Sequence, residues 1–232
     1  MNINPGGIIS HAEMCVREKR MLQHGMNCRA SPTHSVILMS QRRGAPYDDL
    51  IVDSGRTLIY EGHDVPRTRG VTDPKKLDQA ATTPSGRSTA NGQFEKAAKD
   101  YKAGLRAAEQ VRVYEKIRDG IWAYNGVFEL LDVSRETSAG RMVFKFKLRL
   151  VGSEVDAGRT DYVDMPHNRL IPAAVKQEVY KRDKGKCVIC GRADNLHFDH
   201  DFPYSKGGSS ISAKNIKLLC ARHNLTKRDR IE

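Results

Sequence analysis

The sequence predicts an α+β protein built from a β-rich first part and a small, zinc-stabilised second part. Three observations predict this. Short runs of alternating apolar and polar residues recur as far as Leu150, as expected of half-buried strands. One run among them has helical spacing instead. Beyond residue 168, two tightly spaced pairs of metal-ligand residues bracket a single strand-like run. These features divide the 232-residue chain into 1–151, a linker at 152–168 and 169–232. The linker, "GSEVDAGRTDYVDMPHN", is polar, carries Gly and Pro and lacks periodicity.

In chain order, "HSVILMS" (34–40) and "RTLIYEG" (56–62) read as strands. Residues 68–92, rich in Pro, Gly, Ser and Thr, read as a long surface loop. "QFEKAAKDYKAG" (93–104) places Phe94, Ala97, Ala98 and Tyr101 on one helical face and ends at Gly104. "QVRVYEKI" (110–117), "IWAY" (121–124) and "VFELLDV" (127–133) are strands, with Asn125-Gly126 as a hairpin turn between the last two. "RMVFKFKLRL" (141–150) sets Phe144, Phe146, Leu148 and Leu150 against Lys145, Lys147 and Arg149 on the opposite face. "IPAAVKQEVYKRD" (171–183) is helical, with Pro172 near its start and Val175 and Val179 on one face. A last helix runs from about Lys214 to Arg228. The chain has no internal repeat.

Composition narrows the function. No apolar run reaches the length that crosses a bilayer, and "MNINPGGIISHAEM" has no signal-peptide pattern, so a cytoplasmic location is expected. Five cysteines, an odd number, argue against a disulfide framework and for metal ligands plus the ordinary thiols Cys15 and Cys28. The net charge is +11, and residues 166–232 hold 14 Lys/Arg against 7 Asp/Glu. Positive charge concentrated in this way suits a polyanion such as DNA.

Cys187-x2-Cys190 and Cys220-x2-His223 are separated by 29 residues. Two turns that each present a ligand pair satisfy tetrahedral zinc, and four protein ligands make such a zinc structural. Between the pairs lies "LHFDHDFPYSKGG", with Asp199 beside His200, and Asn224 follows the last pair directly. Asp and Asn oxygens are hard donors suited to Mg²⁺ or Mn²⁺, and a neutral imidazole can take a proton from water. Adjacent strand residues point to opposite faces, so a shared site requires the strand to end here, ahead of Pro203.

In order and spacing, "CVIC", "FDHDFPYSKGG" and "KNIKLLCARHN" resemble the HNH (ββα-metal) nuclease family. The resemblance implies phosphodiester hydrolysis leaving 5′-phosphate and 3′-hydroxyl ends. By motif match His200 is the general base, Asp199 and Asn224 hold the catalytic ion, and Asn215 braces the loop carrying the histidine. His223 has two readings, fourth zinc ligand or ligand of the catalytic ion, and the Cys220-x2-His223 spacing favours the first. His197 has two readings, an extra phosphate contact or a satisfied strand histidine, and the second is favoured. Lys206, Lys214, Lys217, Arg222, Lys227 and Arg228 are candidates for neutralising the DNA backbone.

Upstream, "YDDLIVDSGRTLIYEGHDVPR", "NGQFEKAAKDYKAG", "VRVYEKIRDGIWAYNGVFEL" and "GRMVFKFKLRL" resemble the SRA (SET and RING-associated) domain over residues 5–150. That family implies a PUA-like curved β-barrel which flips 5-methylcytosine out of duplex DNA. A flipped base needs flat walls and a polar group at its Watson–Crick edge. The match places the walls at Tyr47 and Tyr60 and the carboxylate at Asp49, with Glu61 where eukaryotic members carry a small hydroxyl residue. Together the halves resemble bacterial SRA-HNH, type IV-like restriction endonucleases. The resemblance implies cleavage of double-stranded DNA carrying 5-methylcytosine or 5-hydroxymethylcytosine; cutting both strands needs two active sites, so a homodimer or pairing on DNA is expected. No GxxxxGK[ST] loop is present, so no nucleoside triphosphate is expected.

Overall fold

The computed structural model describes residues 3–67, 71–151, 170–201 and 212–227; the expected linker, Lys206 and Arg228 lie outside them. Ten strands and four α-helices follow in order: β1 (Ile8–Ser10), α1 (His11–Arg17), β2 (Met26–Asn27), β3 (Ser35–Met39), β4 (Leu50–Val52), β5 (Thr57–Glu61), α2 (Ala90–Lys102), β6 (Glu109–Arg118), β7 (Ile121–Ser138), β8 (Arg141–Leu150), α3 (Ala173–Arg182), β9 (Leu196–His200), β10 (Ile216–Cys220) and α4 (Ala221–Lys227). The first eight strands form one sheet in the order β2-β3-β6-β7-β8-β5-β4, with β1 also paired to β7. The hydrogen-bonded path is open, running from β2 to β4 among the described residues, so closure of the ladder into a barrel is not seen.

Strand β7 pairs with three neighbours, β1, β6 and β8. Its first residues pair with β1 (Ile8↔Ala123), and from Phe128 onward β8 takes over as neighbour. The expected hairpin at Asn125-Gly126 is therefore corrected: "IWAY" and "VFELLDV" are one strand. Gly126, at φ 106°, sits at a register shift against Val113 and Tyr114, so the glycine makes a bulge rather than a turn. The hairpin turns are Asp119-Gly120 and Ala139-Gly140, with both glycines at positive φ.

The alternation expected in β8 is present. Phe144, Phe146, Leu148 and Leu150 are buried against Phe94, Ala97 and Ala98 of α2. Lys145 is an exception on the polar face, because burial there is offset by ion pairing to Glu61 at 3.1 Å. Helix α2 begins earlier than expected because Thr89 caps it, its hydroxyl accepting from the Gly92 N–H. The preceding segment is more than a surface loop, since buried Gln79 receives the Phe144 N–H at 2.8 Å. Helix α1 lies outside the expected elements, although Ser10 and Glu13 form a capping box legible as S-x-x-E.

The last helix is shorter than expected. Residues 213–215 form a 3₁₀ turn and 216–220 a strand antiparallel to β9, so β9, β10 and α4 make a ββα unit. This unit is not a separate body on a tether. Ile171, Val175, Val179, Phe198 and Leu218 share one core with Ile117 and Ala123 of the large sheet. Gly6-Gly7 stitches the halves at the backbone: Gly6 donates to the Tyr124 carbonyl at 2.8 Å and accepts from the Phe198 N–H at 3.1 Å. Gly6 has φ +85°, and a Cβ there would lie 3.3 Å from the Phe198 oxygen. Inside the seam, buried Lys176 of α3 donates to Glu115 Oε2 at 2.6 Å and to Asn125 Oδ1 at 2.7 Å.

Candidate functional site

Two sites stand on the two halves. The first is a cavity of about 560 Å³ on the large sheet, lined by Tyr47, Asp49 and Tyr60 together with Gly25, Met39, Ser40 and Trp122. Strand β5 supplies Tyr60, whose ring is buried, and the segment leading into β4 supplies Tyr47 and Asp49. Asp49 is oriented by two backbone donors, the Ser40 N–H onto Oδ2 at 3.2 Å and the Glu61 N–H onto Oδ1 at 3.1 Å. Burial still dominates and raises its pKa to about 7, so the carboxyl exchanges a proton near neutrality. Burial likewise pushes the Tyr47 and Tyr60 hydroxyls up, and both rings present neutral phenols.

The tyrosines are brought together through a residue the sequence reading missed. His63 stacks on Tyr47, with centroids 5.6 Å apart and planes 19° apart, and its Nε2 lies 3.1 Å from the Tyr60 hydroxyl. Burial, reinforced by His24, lowers its pKa to about 4, so the imidazole is neutral. Asn91 fixes the His63 backbone with two 2.8 Å bonds, one to the N–H and one to the carbonyl. Gly25 permits this packing, since a Cβ there would lie 2.7 Å from the Tyr60 hydroxyl and 2.8 Å from His63 Nε2. The only local signal for His63 is its place in "EGHDVPR" directly after β5.

Strand alternation turns Glu61 away from Tyr60. Its carboxylate accepts from Lys145 and from the Asp48 N–H and faces Arg141 at 3.4 Å, on the wall of a neighbouring cavity of about 420 Å³. This is an ion-pair hub for β5 and β8.

The second site is the ββα unit. Cys187, Cys190, Cys220 and His223 place their ligand atoms within 4.8 Å of one another. His223 Nδ1 is 3.4 Å from both the Cys187 and Cys220 sulfurs, and the Cys190 and Cys220 sulfurs are 3.8 Å apart. A zinc tetrahedron with ordinary bond lengths has S–S edges of about 3.8 Å and S–N edges of about 3.5 Å, so the donor set fits that ion. Burial opposes ionisation of Cys187, but backbone hydrogen bonds and His223 outweigh it and bring its thiol to about 6, favouring the thiolate a metal requires.

Strand β9 ends at His200, as a shared site requires. The side chains nevertheless alternate: Leu196, Phe198 and His200 are buried, while His197 and Asp199 are half-buried on the other face. Burial lowers the pKa of His197. Helix α4 carries Asn224 one turn before Lys227, on the same helical face. Lys227 Nζ donates to Asp199 Oδ2 at 2.8 Å and to the His200 carbonyl. Its expected role at the DNA backbone is corrected, because Lys227 is only 2% exposed and its amine points inward. Asp199 Oδ2 is thus held by Lys227.

The Asn215 carbonyl accepts from the Asp201 N–H at 2.7 Å and pins the two ends of the segment between them. Among the other cations, Lys217 pairs with Asp201 at 2.7 Å, while Lys214 and Arg222 are exposed.

No family model and no curated protein matches the chain. Among solved structures it is similar to the SUVH5 SRA domain in complex with hemi-methylated CG DNA, with 23% identity over 62% of this chain and 84% of that chain, TM-score 0.43. The same domain bound to fully hydroxymethylated CG DNA gives 22% identity over 62% and 85%, TM-score 0.42. Arabidopsis thaliana SUVH6 in complex with SAM gives 16% identity over 86% of this chain and 32% of that chain, TM-score 0.43.

Proposed function

We propose that this protein is a modification-dependent DNA endonuclease. The large sheet, read as SRA-like, receives a flipped 5-methylcytosine or 5-hydroxymethylcytosine, and the ββα unit, read as an HNH nuclease, hydrolyses a nearby phosphodiester. The observation that carries the reading is the zinc-competent clamp that holds β9, β10 and α4 together with Asp199 and His200 at the strand end.

In the cavity, Tyr47 and Tyr60 offer aromatic surface and Asp49 a polar edge. The neutral Asp49 carboxyl can donate to the cytosine ring nitrogen while accepting from the exocyclic amine. In the nuclease unit, His200 takes the proton of the attacking water, and Lys227 fixes the strand end through Asp199 and the His200 carbonyl. Asp199 and Asn224 would hold Mg²⁺ or Mn²⁺, which when bound offsets charge on the phosphate and the departing oxygen. Zinc on the four-residue set is structural. Cutting both strands requires two such units, and a homodimer supplies them.

The experiment is hydrolysis of a modified duplex by the unaltered chain and by His200→Ala, with end-group analysis of the products. Cleavage to 5′-phosphate ends by the unaltered chain, and binding without cleavage by the variant, is the expected result. Undiminished cutting by the variant would remove His200 as the base. A second reading, a reader of modified DNA that does not cut, is favoured by the ammonium of Lys227 on Asp199, which supplies positive charge there without a metal. It predicts tight binding of the same duplex and no hydrolysis with either ion.

A further inference from the structure

We infer that the seam between the halves holds a duplex-backbone site. The ligand is taken from the reading above, in which the partner is duplex DNA. A groove of about 420 Å³ lies between the end of β6 and α3, lined by Ile117, Arg118, Gln177, Tyr180, Lys181 and Lys184. Three exposed cations from both halves thus converge on one concave surface with a partly apolar floor.

Among the described residues these three cations have no ion-pair partner, and the acids closest in sequence are mostly engaged elsewhere. Asp119 pairs with Lys116 and Arg42, and Asp183 with Arg182. Glu178 is exposed on α3, where its charge acts on Arg182. Like charges gathered in a low-dielectric recess repel one another and focus their field outward, which favours a polyanion. The Tyr180 ring packs over Gly185, its hydroxyl lying 2.7 Å from where a Gly185 Cβ would stand.

The position gives the groove its meaning. One step back along β6, Lys116 lines the base cavity with Gly120 and Trp122. A few residues beyond Lys184, the chain reaches Cys187 of the metal set. The shared core and the Lys176–Glu115 pair hold the two walls of the groove in register. Phosphate contacts carry position and no base information.

The test is equilibrium binding of the full chain to a modified duplex and to the same unmodified duplex, without added divalent ion, across a NaCl series. Each phosphate neutralised contributes about 0.9 to the slope of log K against log salt, so three contribute about 2.7. The variant Arg118→Ala/Lys181→Ala/Lys184→Ala should lose about that much slope and weaken both duplexes by the same factor. The charge-retaining variant Arg118→Lys/Lys181→Arg/Lys184→Arg should keep the slope of the unaltered chain. An unchanged slope in the alanine variant, or an equal loss in the charge-retaining one, overturns the site. If the unaltered chain shows no preference for the modified duplex, the reader reading fails while the slope change still supports the groove.

Discussion

Asp49 is the side chain whose chemistry is most exposed to solution conditions. Its carboxyl titrates at about 7, above the 3.8 of a free aspartate, because burial disfavours the anion more than two backbone donors favour it. The sign follows from linkage. A raised folded-state pKa adds stability that is fully present below the free-carboxyl range and is lost as pH rises to about 7. His63 works in the opposite sense, its lowered pKa favouring the fold above the free-imidazole range and losing that contribution as pH falls towards 4. The urea midpoint of the unaltered chain relative to that of Asp49→Ala should fall as pH rises from 4.5 to 8, because the His63 contribution is common to both and cancels in the comparison; a constant difference would contradict the assignment. Asp49→Ala should also abolish any preference for a modified cytosine. At this scale the Cys187, Cys190, Cys220 and His223 cluster was legible because the spacing within each pair is local. Lys227 and His63 were not, since nothing adjacent in sequence announces a lysine that turns inward or an imidazole that packs against a distant tyrosine.

At the scale of elements, the ββα unit has little apolar area of its own, and a crosslinking ion is the expected remedy. We predict one zinc per chain by elemental analysis. Cys220→Ala should lose it and lower hydrogen-exchange protection across β9 and β10 while leaving β8 protected. Retained protection in β9 would show that the metal set is dispensable. In the large sheet, Gly126→Val should cost about 1–3 kcal/mol in denaturant unfolding, because φ 106° is strained for a β-branched residue and Leu150 Cδ1 lies 3.2 Å from the added Cβ. Strand β8 could be read directly from its alternation. Strand β7 could not be read as one element, because Asn-Gly has the same signature in a bulge as in a hairpin, and only the pairing partner decides.

At the scale of the molecule, the two halves share a core and a buried Lys176–Glu115–Asn125 cluster, so one unfolding transition is expected. Lys176→Met strands the Glu115 carboxylate in the seam and should cost about 3–5 kcal/mol. Adding Glu115→Gln should recover much of that loss, and two separate transitions in the unaltered chain would refute the shared core. The separate β9–β10 ladder follows from the segment that the cysteine pairs bracket. The docking of the two halves was not legible, because it rests on Gly6-Gly7 backbone bonds and on a lysine whose partner lies 61 residues away.

The most direct measurement uses two plasmids of one sequence, one with unmodified cytosine and one with 5-methylcytosine or 5-hydroxymethylcytosine, incubated with the unaltered chain and Mg²⁺ or Mn²⁺. Cleavage confined to the modified plasmid is the predicted result. Equal cleavage of both plasmids, or cleavage of neither with either ion, would contradict the account.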